Sequence, residues 1–184
     1  MSNILLGVSA GIAAYKSADL ASKLTQRGDT VRTILTPGAQ KFITPLTFGA
    51  VTRQEVFTDL YEDDPSYKGG HISLSEWADL LLVAPATADL IGKLAAGLGG
   101  DLLTVTALAF DKPVLFAPAM NDRMWNNPVV QENITRLQEV LGYRLISPGE
   151  GHLACGSIGP GRLAEVPDLI AALDQVLQPE TGKG

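Results

Sequence analysis

Residues 80–89 read Leu-Leu-Leu-Val-Ala-Pro-Ala-Thr-Ala-Asp, an unbroken apolar run that ends in a proline and a hydroxyl. A strand buried on both faces has this continuous apolar character, because helices cover both sides of its sheet. Similar short apolar runs stand at Ile4–Val8, Val31–Leu35, Val114–Ala117 and Tyr143–Ile146. We therefore predict a set of largely parallel strands.

Helical segments alternate with these strands. The candidates are Ile12–Arg27, Ala39–Ala50, Ala88–Ala96, Asp101–Ala109, Pro128–Leu141 and Val166–Leu177. Gly28 and Gly142 each follow a candidate, where glycine commonly ends a helix. The alternation predicts a doubly wound α/β fold, a three-layer Rossmann-like (flavodoxin-like) sandwich with a mostly parallel sheet and helices on both faces.

The composition limits the class of protein. A chain of 184 residues suits one domain with a substantial core. Only 18% of the residues are charged, below the usual ~25%, which favours surface buried between subunits, although a well-filled monomer core is the alternative. The net charge of −6 argues against a nucleic-acid partner.

The N-terminal residues and the cysteine content indicate the compartment. Met1–Val8 lacks a basic segment and reads as a first strand, and no apolar run approaches the ~20 residues of a membrane span. Cys155 is the only cysteine, so no intrachain disulfide forms. We expect a cytoplasmic protein without membrane association, with one domain over residues 1–177 and a linker or tail over residues 178–184.

Small and hydroxyl-bearing residues follow three of the predicted strands. Ser9, Thr36 and Thr87 stand at these ends, which meet at one edge of a parallel sheet. The first turn, Gly7–Ile12, precedes a helix whose N-terminus attracts a phosphate, although tight packing of helix on strand is the alternative. Thr36 could bind the ligand or cap a helix, and the nearby Phe42 could pack on a ligand ring or in the core.

Familiar catalytic templates fit this chain poorly. The dinucleotide and Walker glycine patterns both fail at the first turn. Gly7–Gly11 matches the hydrolase pattern G-x-S-x-G, but Ser9 follows the first strand and lacks the preceding oxyanion loop. The two histidines and the cysteine are widely spaced, so we predict no metal site.

Three residues stand out as candidate reactive groups. Asn121 follows the strand Val114–Ala117 and offers one neutral acceptor and two donors. His71 follows a glycine pair, although a solvated or structural histidine is the alternative. Cys155 lies in the glycine-rich stretch 147–164, which favours a ligand-facing thiol on a lid over a core cysteine.

Five motifs, taken in order, resemble the homo-oligomeric flavin-containing cysteine decarboxylases over nearly the whole chain. They are Gly7–Lys16, Gly70–Ile72, Ala84–Asp89, Pro118–Trp125 and Ala154–Arg162. The resemblance implies FMN in the predicted crevice, with the flavin contacts at Ser9, Gly11, Ile12, Thr36, Phe42, Ala86 and Thr87. Many members have Asn where this chain has Asp89, so position 89 is not assigned a flavin contact.

The resemblance also implies an activity, the decarboxylation of 4′-phosphopantothenoylcysteine to 4′-phosphopantetheine in coenzyme A biosynthesis. His71 corresponds to the active-site histidine, Asn121 to the residue that binds the substrate carboxylate, and Cys155 to an acid or redox residue on a flap at about residues 147–164. The implied substrate contacts are Asn121, Met124, Ala154, Cys155 and Gly156.

Partners and alternatives follow from the same resemblance. It implies a trimer, or an assembly of trimers, with FMN at the subunit interfaces, and a possible C-terminal phosphopantothenate–cysteine ligase domain. One alternative is decarboxylation of a C-terminal cysteine in a peptide. Another is a non-enzymatic, flavin-binding regulatory subunit, although such proteins tend to carry long acidic tails and residues 178–184 are nearly neutral.

Overall fold

Six strands form one parallel sheet in the order β3-β2-β1-β4-β5-β6. The computed structural model describes residues 1–60, 70–152, 156 and 158–177. The strands are β1 (Asn3–Val8), β2 (Thr30–Leu35), β3 (Val56–Phe57), β4 (Leu80–Ala86), β5 (Val114–Pro118) and β6 (Arg144–Leu145). The predicted α/β fold is confirmed, and this strand order is that of doubly wound nucleotide-binding folds.

Helices cover both faces of the sheet. They are α1 (Ala14–Gln26), α2 (Pro45–Thr52), α3 (Gly70–Trp77), α4 (Ala88–Ala95), α5 (Leu102–Leu108), α6 (Asp122–Trp125), α7 (Pro128–Glu139) and α8 (Val166–Leu177). One apolar core joins the sheet to α1, α2 and α8, and a second joins the opposite face to α3, α4, α5 and α7. Every residue of β4 is buried, because it lies at the centre of both cores.

The helix predicted over Ala39–Ala50 is wrong as one element. A 3-10 turn spans Ala39–Lys41, and α2 begins only at Pro45. Proline has no N–H to donate, and it disfavours a helical conformation in the residue before it. Thr44 is accordingly extended, with φ −94° and ψ 154°, so the chain breaks there and restarts.

Several elements were not expected from the sequence. The short β3 and α6 fall below the length at which periodicity is informative, and α3 carries His71 in a segment that was not assigned to a helix. Within the glycine-rich stretch, β7 (Gly149–His152) and β8 (Ile158–Arg162) pair as an antiparallel hairpin. This hairpin is separate from the main sheet.

Candidate active site

A crevice of about 1010 Å3 lies at the carboxyl ends of β1, β2, β4 and β5. β1 and β4 are neighbours, and the strand order runs outward from them in opposite directions. Open parallel sheets bind their ligands at such a switch point. The predicted site residues that line the crevice are Ser9, Gly11, Ile12, Thr36, Thr87, Asn121 and Met124.

Ser9 joins the ends of the two central strands. Its buried hydroxyl donates to the Pro85 carbonyl at 2.7 Å and accepts from the Thr87 amide at 3.0 Å. Thr87 in turn caps α4, because its Oγ1 accepts from the Leu90 amide at 3.4 Å. The two hydroxyls of the first and third turns therefore form one connected group at the crevice.

The glycines of the first turn have two different roles. A Cβ on Gly7 would lie 2.5 Å from Leu103 Cδ1, so this glycine allows α5 to pack on β1. A Cβ on Gly11 would meet only Thr87 Cγ2, at 3.9 Å, so Gly11 leaves room at the crevice. Among the described backbone hydrogen bonds, none is donated by the amides of residues 10–13. These donors precede α1, an arrangement suited to an anion.

The second turn packs directly against the first. Thr36 Oγ1 accepts from the Ala39 amide at 3.2 Å, but the N-cap of the 3-10 turn is Gly38, so Thr36 is not the helix cap. A Cβ on Gly38 would lie 2.7 Å from the Cβ of Ala10. Both residues line the crevice, and sequence reasoning missed this contact, although the Pro37-Gly38 turn was a signal for it.

Asn121 is the N-cap of α6. Its Oδ1 accepts from the Arg123 amide at 2.8 Å, with extended backbone angles at the cap. The amide nitrogen is the part of this side chain that can donate to an acceptor such as a carboxylate. Met124, on the same short helix, is 46% exposed and lines the crevice beside Asn121.

The β7–β8 hairpin is attached to the Asn121 turn at Gly161. The Gly161 carbonyl accepts from the Met120 amide at 2.9 Å. Gly161 has φ +118°, and a Cβ there would lie 2.4 Å from the Met120 carbonyl oxygen. Only glycine suits that backbone and that approach, so this position holds the hairpin against the crevice.

Two cations of the crevice wall share one carboxylate. Lys16 Nζ and Arg162 Nη2 each lie 3.0 Å from Glu165 Oε1. Lys16 and Arg162 line the crevice, and sequence reasoning missed both. The hydrogen bond from Lys16 is the main cause that lowers the pKa of Glu165, and the charge of Arg162 adds to it.

His71 lies in the first turn of α3 and is not among the residues that line the crevice. Its Nδ1 is buried and has no hydrogen-bond partner within the described ranges. Lys112 Nζ holds the other end of α3, donating to the carbonyls of Glu76 at 2.7 Å and Ala78 at 2.6 Å. The fold thus positions α3, but it does not bring His71 to the crevice of its own chain.

Other predicted site residues lie elsewhere. Phe42 is 53% exposed after the 3-10 turn, and Ala86 is buried at the end of β4; neither lines the crevice. Gly156 is exposed, with φ +88°. Cys155 and Ala154 lie outside the described residues.

Metal and membrane features can be stated for the described ranges. No group of three or more His, Cys, Asp or Glu side chains there is arranged to hold a metal ion. No helix in the same ranges has the length and apolar character needed to cross a bilayer.

Comparison with known proteins identifies the class. A flavoprotein family model matches residues 1–178. The chain belongs to the flavoprotein family.

Two relatives show which members of that family this chain resembles in sequence. The chain is 49% identical over 177 residues to the coenzyme A biosynthesis bifunctional protein CoaBC of Vibrio vulnificus, covering 96% of this chain and 44% of that protein. It therefore spans less than half the length of this relative. It is 41% identical over 176 residues to a probable phosphopantothenoylcysteine decarboxylase of Streptococcus mutans, covering 95% of this chain and 98% of the relative.

Solved structures agree with these relatives. A PPC decarboxylase variant complexed with pantothenoylaminoethenethiol superimposes with a TM-score of 0.84 at 35% identity, over 95% of this chain and 97% of that one. SpaF, an FMN-dependent cysteine decarboxylase, superimposes with a TM-score of 0.83 at 35% identity, over 97% of this chain and 98% of the SpaF chain.

Proposed function

We propose that this chain is an FMN-dependent decarboxylase that converts 4′-phosphopantothenoylcysteine to 4′-phosphopantetheine in coenzyme A biosynthesis. One observation carries the proposal. At the β1–β4 switch point, one crevice contains both Asn121 and the first-turn amides of residues 10–13, which donate no described backbone hydrogen bond. The nearly full-length similarity to the Streptococcus mutans relative supports the choice of substrate.

The residues of the crevice fit FMN. The amides of residues 10–13 precede α1 and have no described backbone acceptor, so they offer donors to a phosphate. Thr87 adds a hydroxyl beside them, and Gly11 leaves space where a side chain would intrude. A volume of about 1010 Å3 lies at the upper end of ligand pockets, roughly 300–1,000 Å3. We assign the FMN phosphate to the first turn.

The chemistry requires an electron sink next to the carboxylate. FMN, held by the amides of residues 10–13 and by Thr87, would supply two-electron redox chemistry, as the oxidant of the thiol-bearing carbon before CO2 is lost and as the reductant of the ene-thiolate afterwards. Asn121 orients the substrate carboxylate through its amide nitrogen. A neutral amide stabilises the charged ground state less than an arginine would, so less binding energy is lost as CO2 leaves.

Two proton transfers remain for the protein. His71 has a suitable intrinsic pKa to take the thiol proton near neutral pH. It lies outside its own crevice, so we infer that it serves the crevice of a neighbouring copy in a trimer. Cys155 donates a proton to the ene-thiolate.

A larger protein is part of this proposal. Because the bifunctional relatives are more than twice as long as the matched region, we propose that this domain works beside a C-terminal ligase domain. Such a ligase would supply the cysteine-containing substrate directly.

The first test is a visible absorption spectrum of the purified protein, followed by CO2 release on addition of 4′-phosphopantothenoylcysteine. A flavin spectrum with CO2 release supports the proposal. No flavin binding after FMN is added would overturn the assignment of the crevice.

A second candidate is decarboxylation of a C-terminal peptide cysteine. SpaF is named a cysteine decarboxylase without a pantothenoyl group, and its similarity to this chain nearly equals that of the PPC decarboxylase, so a second cysteine-bearing substrate is kept. A cysteine-terminated peptide assayed beside the pantothenoyl substrate separates the two. Flavin binding without CO2 release from either substrate would instead support a regulatory subunit.

A further inference from the structure

The crevice wall contains a cationic cluster that the proposed chemistry does not use. Lys16 is 8% exposed, and Arg162 has a half-exposed side chain. Both contact the same oxygen of Glu165, at 3.0 Å each. Two cations share one carboxylate, so this cluster has an excess of positive charge.

Each of the other charged residues of the wall either pairs with an opposite charge or caps a helix. Lys93 pairs with Asp89 at 2.7 Å within α4. Asp101 caps α5 by accepting from the Thr104 amide at 2.9 Å. Within the described lining, the excess positive charge therefore lies at Lys16 and Arg162.

The cluster is held in position by three parts of the fold. Glu165 starts α8, because its carbonyl accepts from the amides of Asp168 and Leu169 at 2.9 and 3.0 Å. Arg162 directly follows Gly161, which is bonded to the Met120 amide. The Arg162 side chain also crosses Gly151, where a Cβ would lie 3.5 Å from Nη1. The guanidinium is thus positioned in the wall before any ligand binds.

The proposed reaction brings three anionic groups to the crevice. The cofactor phosphate is assigned to the first turn, and the carboxylate that leaves as CO2 is assigned to Asn121. The third group is the phosphate at the far end of the substrate. Arginine suits such a group, because its planar donors match phosphate oxygens in pairs.

We propose that Lys16 and Arg162, positioned by Glu165, bind the terminal phosphate of the substrate and select phosphorylated substrates over cysteine-terminated peptides. This inference rests on the proposed decarboxylase function. A contact that is made equally in the ground state and in the transition state changes KM and leaves kcat unaltered. The cluster therefore determines specificity.

The test compares two substrates that differ only in the phosphate, 4′-phosphopantothenoylcysteine and pantothenoylcysteine, on the FMN-loaded protein. Arg162→Gln is expected to raise KM for the phosphorylated substrate at least about ten-fold, the loss expected for a charged hydrogen bond. Its kcat and its KM for the unphosphorylated substrate stay near wild type. Lys16→Met, which removes the second cation, shifts KM in the same selective direction.

Lys23→Met is the matched control. Lys23 lies on the same helix and pairs with Asp19, but it is absent from the crevice lining. It is expected to leave KM unchanged for both substrates. Retention of FMN is read from the visible spectrum of each variant.

Several results would overturn the inference. Equal loss on both substrates means that the cluster is structural, and loss of FMN from Arg162→Gln means that it serves the cofactor phosphate. If wild type turns over both substrates with equal KM, the inference fails although the proposed function stands. If wild type releases no CO2, the proposed function fails, and calorimetric binding of 4′-phosphopantetheine against pantetheine then tests the cluster directly. Equal affinities in that titration overturn it.

Discussion

The crevice has two walls that are built in different ways. The neutral wall consists of strand-end turns, where Ser9 contacts Thr87 and the amides of residues 10–13 precede α1. The charged wall joins Lys16 to Glu165, 149 positions apart, and to Arg162 at the end of a hairpin. The neutral wall forms where neighbouring strands of the parallel sheet end beside each other, whereas the charged wall requires α1, β8 and α8 to pack together.

The two walls suggest a division of tasks. The neutral wall holds the cofactor and orients the reacting carboxylate, while the charged wall adds affinity for a remote anion. Substitutions in the first wall should therefore change turnover or cofactor binding, and substitutions in the second should change selectivity or stability. The following predictions test that division.

Asn121→Asp should have the largest effect. The added charge repels the substrate carboxylate, so CO2 release is expected to fall roughly 100-fold or more. Aspartate is also a good N-cap, so the bond to the Arg123 amide and the fold should persist. CO2 release is measured beside the FMN spectrum and circular dichroism. Wild-type rates would refute the assigned contact.

Gly161→Ala tests the attachment of the hairpin. The added Cβ would clash with the Met120 carbonyl, and the alanine backbone would have to keep a positive φ. Together these effects should lower the free energy of unfolding by about 2–4 kcal/mol.

Gly142→Ala is the control for Gly161, because it also has a positive φ but would meet nothing within 4 Å. It should cost about 1–2 kcal/mol. Urea unfolding measures both variants, and equal losses would show that the Met120 contact is unimportant.

Ser9→Ala should weaken the neutral wall. It leaves the Pro85 carbonyl and the Thr87 amide without the buried hydroxyl, at a cost of about 1–3 kcal/mol. FMN affinity should fall as well, because Thr87 loses its support.

Ser17→Ala separates stability from cofactor binding. Ser17 is also buried and donates to the Ala84 carbonyl at 2.6 Å, but it does not line the crevice. It should show a similar loss of stability with FMN affinity retained. Equal loss of FMN affinity in both variants, measured by flavin fluorescence titration, would contradict a specific role for Ser9.

Glu165→Gln should have the smallest effect. The pKa of Glu165 is lowered in the folded state, chiefly by Lys16. Its contribution to stability is therefore present above the ordinary carboxyl pKa and is lost as the pH falls through the lower, folded-state pKa. Wild type should be more stable than the variant at neutral pH, and the difference should shrink in acid. A difference in unfolding free energy that stays constant with pH would contradict this.

The sequence predicted the sheet because its signals are local. The apolar runs at β1, β2, β4 and β5 mark strands buried on both faces. The hydroxyls and small residues that follow these runs had to meet at one edge, since parallel strands end there together. Ser9, Thr36, Thr87 and Asn121 were found in this way, and all of them line the crevice.

Other features depended on packing between distant segments. The break before Pro45 was readable in principle, but the position of His71 outside its own crevice was not, because it depends on how α3 lies against the sheet. The Gly161–Met120 contact likewise depends on how the β7–β8 hairpin packs against the Asn121 turn.

The amino-acid sequence by itself determined the parallel sheet and the polar residues at its strand ends, because each strand and the turn after it form from neighbouring residues. Only the tertiary structure decided which cations face the crevice. Arg162 and Glu165 are three positions apart, but Lys16 is 149 positions from Glu165, and no spacing in the sequence predicts that contact. The three side chains meet because α1 and α8 pack on the same face of the sheet while β8 bonds to the Met120 turn.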